Sequence, residues 1–545
     1  MDKAPRKVSL RQELLVKAVH LVLRQFQMTP EMIQARKLTK RFSRMPKVET
    51  NKTMSSERIL IATMRDWAVH VHFEAMIGHA LKSCGAQVSH LTCGGGLPIC
   101  DRVNTWEGPP MPCGSCTKYV KSSLNAHGVD FMSLSGHWGS TNWPELDNMN
   151  LDDLKKVSYN NLPLGRLVEI PVKWFLLGEA LDQDPLATST YRMFLKSARA
   201  IADAAESGIE KFQPTQVLLL NGLFLFESII WEICRQKNIS VVTYERAFII
   251  DTFVFSRNDA AGFYKMKDVW ESWRDHQLTL EEEGQLDQYL GDRQRGLRMS
   301  DDYWKQVKDG KIARSRSGRR AVLFTNLVWD SAVLGQDVAF KSIVDWAVTA
   351  IEEFRNRPND ELIIRIHPAE TKLSGRESRE GIEEGIRNRI KYLPVNLVII
   401  PSTDATSSYD LMHEADFGLV YSSTTGLEMV LTGKPVVVAA QTHYRDKGFT
   451  IDIESIDDFS HAIEQLCQNP LAFTPNQKLV RRYAHLFFFK APFANMGVTE
   501  PIRGLVSLTV NDPTTFVDAE QLDTQRFLAS MLSRGTFNPH PTSDL

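Results

Sequence analysis

The sequence predicts an α/β protein with two doubly wound domains, each a mainly parallel sheet covered by helices. Short apolar runs of strand length alternate with longer segments of helical periodicity, and this alternation occurs twice, over 55–275 and over 320–490. A chain of 545 residues is also too long for a single hydrophobic core. We therefore expect two Rossmann-like domains that face each other across a cleft.

The first domain extends over 55–275. Its strands are predicted at short runs of aliphatic and β-branched residues, 59–63, 87–92, 216–220 and 239–244. Apolar residues at helical spacing predict helices at 69–81, 191–211 and 224–236. An irregular insert rich in glycine and cysteine, 92–117, interrupts the pattern. Strands that alternate with helices favour a parallel sheet, because parallel strands need crossover connections.

The second domain extends over 320–490 and has five predicted strands. These strands are 321–325, 361–366, 397–400, 417–421 and 435–439. Helices are predicted directly after the fourth strand and at 340–355, 379–391, 409–414, 456–466 and 475–486. The charged segment 276–319 predicts a helical connection between the domains, and 491–545 is interpreted as a C-terminal tail.

The composition is that of a soluble globular protein, with 43% hydrophobic and 24% charged residues. The formal net charge of -2 gives no electrostatic reason to expect nucleic acid as a partner. No apolar run reaches the length that a helix needs to cross a bilayer, and the first residues lack the apolar core of a secretory signal. We therefore expect a cytoplasmic location.

The first 54 residues form a basic arm. The cations of its first fifty residues are Lys3, Arg6, Lys7, Arg11, Lys17, Arg24, Arg36, Lys37, Lys40, Arg41, Arg44 and Lys47. An apolar stripe at helical spacing consists of Leu10, Leu14, Leu15, Ala18, Val19 and Val22. Such a helix either lies on an anionic surface at the inner face of the membrane or packs on its own domain. The sequence leaves both interpretations open.

Two polar segments follow predicted strands of the second domain. Ser422 to Gly426 stand between the fourth strand and a helix, where unpaired amides and small hydroxyls can bind a phosphate. His367 ends the second strand, and Pro368 stops that strand. Carboxyl ends of parallel strands meet at one edge of a sheet, so the segments are expected to line one crevice. Each segment also has a structural explanation, as a helix cap or as a hydrogen-bonded histidine.

Five segments of the second domain carry a family resemblance. They are Thr325-Asn-Leu-Val-Trp-Asp330, Arg365-Ile-His-Pro-Ala-Glu370, Tyr421-Ser-Ser-Thr-Thr-Gly-Leu-Glu428, Gly433-Lys-Pro-Val436 and His443-Tyr-Arg-Asp-Lys-Gly-Phe-Thr450. In this order they resemble the bacterial capsule polysaccharide biosynthesis proteins, GT-B glycosyltransferases related in motif to the Kdo transferases and bacterial sialyltransferases. The resemblance is good over 321–486 and weaker over 58–251. It implies a GT-B fold and transfer of a sugar from a nucleotide-activated donor onto a bacterial surface or capsular glycan, or onto a lipid-linked acceptor.

The resemblance also implies a donor site. The residues expected to contact the donor are Asn326, Arg365, Ser422, Ser423, Thr424, Thr425, Gly426, Glu428, Arg445 and Lys447. Cleavage leaves charge on a phosphate, which hydroxyls and amides would stabilise while His367 donates a proton or a hydrogen bond. Arg445 and Lys447 either support this phosphate or are loop charges. Glu428 either accepts hydrogen bonds from the donor ribose or is a first-turn carboxylate. Such protein groups make a metal unnecessary for catalysis.

An inverting transferase also needs a base that deprotonates the acceptor hydroxyl. We expect this base at the strand ends of the first domain, where Asp66, His70, His72 and Glu245 stand. Asp66 follows the first strand and Glu245 follows the strand 239–244. Helix capping or surface ion pairing would explain the same residues, and the sequence does not decide among them.

Four of the seven cysteines, Cys93, Cys100, Cys113 and Cys116, lie in the insert, which is predicted to be a loop. Cys113 and Cys116 have the spacing of a metal knuckle. In a reducing compartment, four thiolates on a loop suggest a structural zinc ion, with an iron–sulfur cluster less favoured. Free thiols and disulfides are the other interpretations.

Two other functions fit parts of the pattern. A CDP-glycerol-type glycerophosphotransferase would use the same histidine and serine segments. A non-catalytic scaffold of a glycan assembly complex would use the basic arm and the cysteine insert. The continuation Thr424-Thr-Gly-Leu-Glu428 favours the sugar-transferring enzyme.

Overall fold

The computed structural model describes residues 10–42, 56–295, 316–330, 333–373, 375–494, 496–502, 504–510, 516 and 522–539. The predictions that fall on 1–9, on 43–55, on 296–315 and on the last residues of the chain lie outside the described residues.

The first domain contains a six-stranded sheet with the strand order β3-β2-β1-β4-β5-β6. Its strands are β1 (Arg58–Ala62), β2 (Gln87–Thr92), β3 (Phe131–Ser133), β4 (Gln216–Leu220), β5 (Ser240–Arg246) and β6 (Phe253–Arg257). The first five strands are parallel, and β6 pairs antiparallel with β5. Both strands that the sequence did not predict, β3 and β6, lie at the sheet edges, where partial burial weakens the apolar pattern.

Helices cover both faces of this sheet. They are α3 (Ala68–Ser83), α4 (Cys113–His127), α5 (Leu151–Leu154), α6 (Leu164–Leu167), α7 (Glu169–Leu176), α8 (Ala187–Phe212) and α9 (Leu225–Gln236). Successive residues of β1 point to opposite faces, so Ile59 and Ile61 enter one hydrophobic core and Leu60 and Ala62 the other. A central strand buried on both faces explains the continuous apolar run in the sequence.

The second domain contains a six-stranded, fully parallel sheet with the order β12-β11-β10-β7-β8-β9. Its strands are β7 (Arg320–Phe324), β8 (Glu361–Arg365), β9 (Leu397–Ile400), β10 (Phe417–Val420), β11 (Val436–Val438) and β12 (Ile451–Asp452). Its helices are α12 (Ile343–Arg355), α13 (Ala369–Lys372), α14 (Ile382–Arg389), α15 (Ser408–Glu414), α16 (Thr425–Leu431), α17 (Ile456–Gln468) and α18 (Gln477–His485). All the strands predicted for the two domains are present, with ends within two residues of the prediction.

Two helices precede the second domain, α10 (Lys267–Trp273) and α11 (Leu280–Gln294). The side chains of Trp273 and Tyr289 enter the same hydrophobic core as Val322 of β7, so the predicted helical connection packs on the second domain. A capping box formed by Thr279 and Glu282 begins α11.

The C-terminal segment, interpreted from the sequence as a tail, is folded onto the first domain over its described residues. It contains the hairpin β13 (Val498–Ile502) and β14 (Leu505–Leu508), and the helix α19 (Leu522–Ser533). Phe527 and Met531 of α19 are buried in the same core as Phe73 of α3. The chain therefore crosses back from the second domain to complete the core of the first, and the interpretation as a tail is corrected.

The described part of the basic arm forms two helices, α1 (Leu10–Gln25) and α2 (Pro30–Phe42). Helix α2 packs on α4 and β14, with Met32, Ala35 and Leu38 in the core. The arm is thus partly integrated into its own domain. No helix within the described residues has both the length and the apolar character that crossing a bilayer requires.

The two domains contact each other along the carboxyl ends of their strands. The rings of Trp174 and Trp329 meet edge to face with centroids 5.3 Å apart. Arg379 of the second domain also donates to Asp184 of the first at 2.5 Å. Two Rossmann-like domains that face across a cleft form the GT-B fold, and the predicted fold class is confirmed.

Candidate functional site

Three strand ends of the second domain form the floor of the candidate site. Strands β8, β7 and β10 pair with one another in register. The paired residues at their carboxyl ends are Arg365, Phe324 and Val420. Two residues further along, His367, Asn326 and Ser422 emerge at the same carboxyl edge. The Ser422 amide donates to Asn326 Oδ1 (3.3 Å), and the His367 amide donates to Thr325 Oγ1 (2.9 Å). The histidine and serine segments therefore converge, separated by about two strand spacings, ~10 Å.

His367 is held in a defined tautomer. Its Nδ1 accepts a hydrogen bond from the Ala369 amide at 3.1 Å, so Nε2 carries the proton of the neutral ring. Burial and, to a lesser extent, the nearby positive charge of Arg365 lower the pKa of His367 to about 4. At neutral pH this imidazole is therefore a hydrogen-bond donor through Nε2 and carries no positive charge.

The segment from Ser422 to Gly426 is called the cradle below. Its two serines have different environments. The Ser422 hydroxyl is buried and has no hydrogen-bond partner among the described residues. The Ser423 hydroxyl accepts from the Thr425 amide (3.3 Å) and donates to the Thr425 hydroxyl (3.0 Å). Ser423 therefore supports the start of α16, whereas Ser422 retains hydrogen-bonding capacity that the described protein does not use.

The rest of the cradle is shaped by Tyr444. Its hydroxyl donates to the Ser423 carbonyl at 2.5 Å. A Cβ atom added at Gly426 would stand 2.3 Å from the same hydroxyl, so glycine is required there for packing. Thr424 precedes α16 and makes no side-chain cap, and Thr425 begins the helix. Because α16 has only seven residues, its backbone dipole alone makes a weak anion site.

Glu428 is engaged within the protein. One carboxylate oxygen accepts from Arg293 of α11 and the other from the Tyr409 hydroxyl, both at 2.6 Å. Glu428 is 8% exposed. These contacts favour a role in fixing α16 to α11, and the predicted contact with a donor ribose stays a prediction.

The three predicted cations are bound to protein groups. Arg365 donates to the Pro401 carbonyl (2.7 Å), and Arg445 donates to the Ile453 carbonyl (2.7 Å) and to Glu454 (2.5 Å). A third cation, Lys447, donates to the Arg445 carbonyl at 3.0 Å. A direct contact of Arg445 with a phosphate would require these bonds to break. Arg365 can act on the site through its charge, as its effect on His367 indicates.

Glu245 is the candidate base that lies nearest to the second domain. It stands near the carboxyl end of β5 and accepts from Asn221 Nδ2 (3.0 Å) and from the Arg246 amide (2.8 Å). Burial raises the pKa of Glu245, and the negative charge of Asp330 raises it further. Asp330 belongs to the second domain, so the two carboxyl groups approach each other from opposite sides of the cleft.

The other base candidates are less suitable. Asp66 is 5% exposed and binds both Arg24 and Arg102. Burial alone would raise the pKa of Asp66, but the bonds from these arginines lower it below the usual range, which opposes a role as base. His72 lies inside the first domain, bonded to His127 at 2.9 Å.

Glu74 belongs to a polar network that the sequence analysis missed. Tyr244 donates to Glu74 at 2.7 Å and is hydrogen-bonded to His70 at 3.1 Å. Burial raises the pKa of Glu74 to about 8. The sequence signal was an acidic residue among the apolar and histidine side chains of α3. His70 and Glu74 line a small cavity beside Arg65, and the buried carboxylates Asp101 and Glu227 bind that arginine at 2.6 Å.

None of the four clustered cysteines, all within the described residues, is paired in a disulfide. Cys113 and Cys116 lie in the first turn of α4, which corrects the prediction that they occupy a loop; buried Tyr119, Val120 and Leu124 favour the helix. Within the described ranges, no group of three or more His, Cys, Asp or Glu side chains is arranged to hold a metal ion. Burial raises the pKa of Cys93 to about 11. The zinc site formed with Cys100 stays a prediction, which metal analysis of the purified protein can check.

Fold and site together define a two-domain α/β protein whose second domain presents neutral hydrogen-bond donors at its carboxyl edge. Residues 264–471 match the family model described as capsule polysaccharide biosynthesis protein. This match covers the cradle and His367, and over that segment it confirms the resemblance found in the sequence. None of the curated proteins matches the chain.

Several solved structures are similar to this chain. The KpsC beta Kdo 2,4 transferase of Thermosulfurimonas dismutans is 14% identical with a TM-score of 0.34, over 55% of this chain and 87% of that chain. The KpsC beta Kdo 2,7 transferase of the same organism is 12% identical with a TM-score of 0.33, over 61% and 89%. UDP-GlcNAc 2-epimerase from Neisseria meningitidis bound to UDP-GlcNAc is 10% identical with a TM-score of 0.25, over 87% and 100%. Because these TM-scores are low, the fold is assigned from the strand order of this chain itself.

Proposed function

We propose that this protein is a glycosyltransferase that moves a sugar from a nucleotide-activated donor onto a bacterial surface or capsular glycan, free or lipid-linked. The observation that carries the proposal is the buried hydroxyl of Ser422, which has no partner among the described residues and shares a sheet edge with a neutral, proton-bearing His367. The match of this segment to capsule polysaccharide biosynthesis proteins supports it.

The proposed donor site stabilises the leaving phosphate with neutral donors. As the bond between sugar and phosphate breaks, negative charge grows on the phosphate oxygen. The Ser422 hydroxyl and the Nε2–H of His367 would donate to phosphate oxygens, and the buried charge of Arg365 would favour the anion. Because His367 is neutral, it would act as a hydrogen-bond donor and not as an imidazolium acid. This set of donors would make catalysis independent of a metal.

Glu245 is the proposed base. Its carboxylate would take the proton of the acceptor hydroxyl, the acceptor oxygen would form the new bond to the sugar, and the nucleotide would leave with the former bonding electrons. A pKa raised by burial and by Asp330 makes Glu245 a stronger base than an exposed carboxylate. Attack from the face opposite the leaving group would invert the sugar configuration.

A donor screen tests the proposal. Purified protein would be incubated with CMP-, UDP- and GDP-sugars and with CDP-glycerol, and release of the free nucleotide would be followed with and without candidate acceptors. Release from one sugar nucleotide that Ser422→Ala slows is the expected result. Release from CDP-glycerol alone would identify a glycerophosphotransferase, and binding of no nucleotide by folded protein would favour a scaffold. The proposed place of action is the cytoplasm.

A further inference from the structure

Helix α1 packs on the first domain through its polar side. Arg24 binds the Asp66 carboxylate and lies over the Tyr119 ring, 4.2 Å from its centroid. His20 is bonded to Glu31 of α2 at 3.1 Å. These inward contacts fix which side of α1 faces the protein.

The opposite side of α1 is apolar and faces solvent. Its exposed side chains, with their exposed fractions, are Leu14 (60%), Leu15 (65%), Val19 (50%), Leu21 (62%) and Val22 (57%), and Phe26 (71%) follows the helix directly. Single exposed apolar residues are common on soluble proteins, but a contiguous apolar helix side usually marks a binding surface. The usual arrangement of a surface helix, apolar side inward, is reversed here.

Exposed cations lie on α1 itself and on the two helices α2 and α4 next to it. Exposed basic residues on α1, on α2 and on the neighbouring α4 are Arg11, Arg36, Lys37, Lys40, Arg41, Lys118 and Lys121. Lys118 donates to the Gln25 carbonyl at 3.1 Å, which places it at the end of α1. The acidic residues of α1 and α2 are Glu13 and Glu31, and Glu31 is buried and bonded to His20 and Tyr119. The surface therefore combines apolar side chains with excess positive charge.

We infer that α1 docks on the surface of an anionic phospholipid bilayer, with its apolar side among the acyl chains and these exposed cations at the headgroups. Apolar area plus positive charge is the combination that holds a helix in such an interface. A symmetric dimer through this side would bring the cations of two copies together, which disfavours a second copy as the occupant.

This inference deepens the proposed function. It rests on that function only where it relates the bilayer to the acceptor. Arg24 is bound to Asp66, which stands just beyond the carboxyl end of β1, on the cleft side of the proposed acceptor domain. A bilayer against α1 would therefore lie close to the acceptor half of the cleft. The docking itself depends only on α1 and its surroundings.

Sedimentation of the full chain with vesicles tests the docking. Vesicles of phosphatidylcholine, with and without phosphatidylglycerol, would be mixed with wild type, with Leu15→Glu/Val22→Glu and with the matched control Leu471→Glu. Leu471 is 80% exposed on the second domain. We expect wild type and the control to bind phosphatidylglycerol vesicles in a salt-dependent manner. We expect the double variant to bind at least about tenfold more weakly, because two apolar side chains leave the interface.

The oligomeric state would be measured in parallel by light scattering. Failure of wild type to bind anionic vesicles, or equal binding by the double variant, would overturn the inference. A wild type and a control that form dimers, with a double variant that is monomeric, would also overturn it, because the apolar side would then be a contact between two copies. Thermal melts would check that the double variant is folded. Nucleotide binding is measured without vesicles, so loss of docking and failure of the proposed transferase function remain distinguishable.

Discussion

Ser422 and Asn326 are joined by a hydrogen bond from the Ser422 amide to Asn326 Oδ1 at 3.3 Å, which fixes the backbone while the Ser422 hydroxyl stays buried and unpartnered among the described residues. A buried polar group without a partner costs free energy of folding, ~1–3 kcal/mol. A ligand that accepts a hydrogen bond from this hydroxyl would recover that cost.

The two serines are expected to respond differently to substitution by alanine. Ser422→Ala should weaken nucleotide binding by ~1.5–3 kcal/mol, the contribution of a hydrogen bond to a charged group, and should not lower stability, because it removes a hydroxyl that is buried without a partner among the described residues. Ser423→Ala should instead lower the free energy of unfolding by ~0.5–2 kcal/mol, because its hydroxyl supports the start of α16. Calorimetric titration and urea unfolding of both variants measure these effects. Equal loss of affinity in both would contradict the division of roles.

His367→Ala should lower the rate of transfer by ~10²–10³, the usual effect of losing one donor to a developing anion. His367→Gln keeps a donor group and should retain part of the activity. Since the pKa of His367 is about 4, its neutral form predominates throughout the neutral range. Titration of this residue should therefore leave no inflection in the rate between about pH 5 and 8. An inflection that His367→Gln removes would show that the charged imidazole is the active form.

Glu245→Gln should lower the rate of transfer by ~10²–10⁴ and leave donor binding unchanged, because the base acts on the acceptor. In the wild type the rate should rise with pH as Glu245 loses its proton, at a pKa above the usual range of a glutamate. Glu384→Gln, at an exposed position of α14, is the matched control. Full activity of Glu245→Gln with a verified acceptor would exclude this base.

Acid should destabilise the first domain through its buried histidines. Burial lowers the pKa of His72 and His79 to about 4 and of His90 to about 3, below the unfolded value near 6.5. Below about pH 6.5 the unfolded chain therefore binds more protons than the folded one. The contribution of each of these histidines to the free energy of unfolding should fall as the pH decreases toward 4, by up to ~1.4 kcal/mol per pH unit, while buried Glu74, whose pKa is raised, contributes in the opposite direction.

Urea unfolding at several pH values measures this slope. His90→Asn should reduce the slope by the contribution of one group. A slope that is the same in wild type and in His90→Asn would contradict the assignment of a neutral buried histidine at this position.

The sequence by itself determined the central strands of the second domain and the position of the cradle. The central strands β7, β8 and β10 are buried on both faces, so their apolar runs are continuous and easily recognised. Since these strands are parallel, His367 and Ser422 had to emerge at one edge. Local pattern and topology suffice for both conclusions.

Only the tertiary structure decided which partners the charged side chains bind. Glu428 is bound by Arg293, which precedes it by 135 residues, and Arg24 is bound by Asp66, 42 residues away. Such pairs are set by the packing of distant segments and leave no local pattern. The sequence showed that α1 is amphipathic, but its outward-facing apolar side follows from where Asp66 and Glu31 stand once the chain has folded.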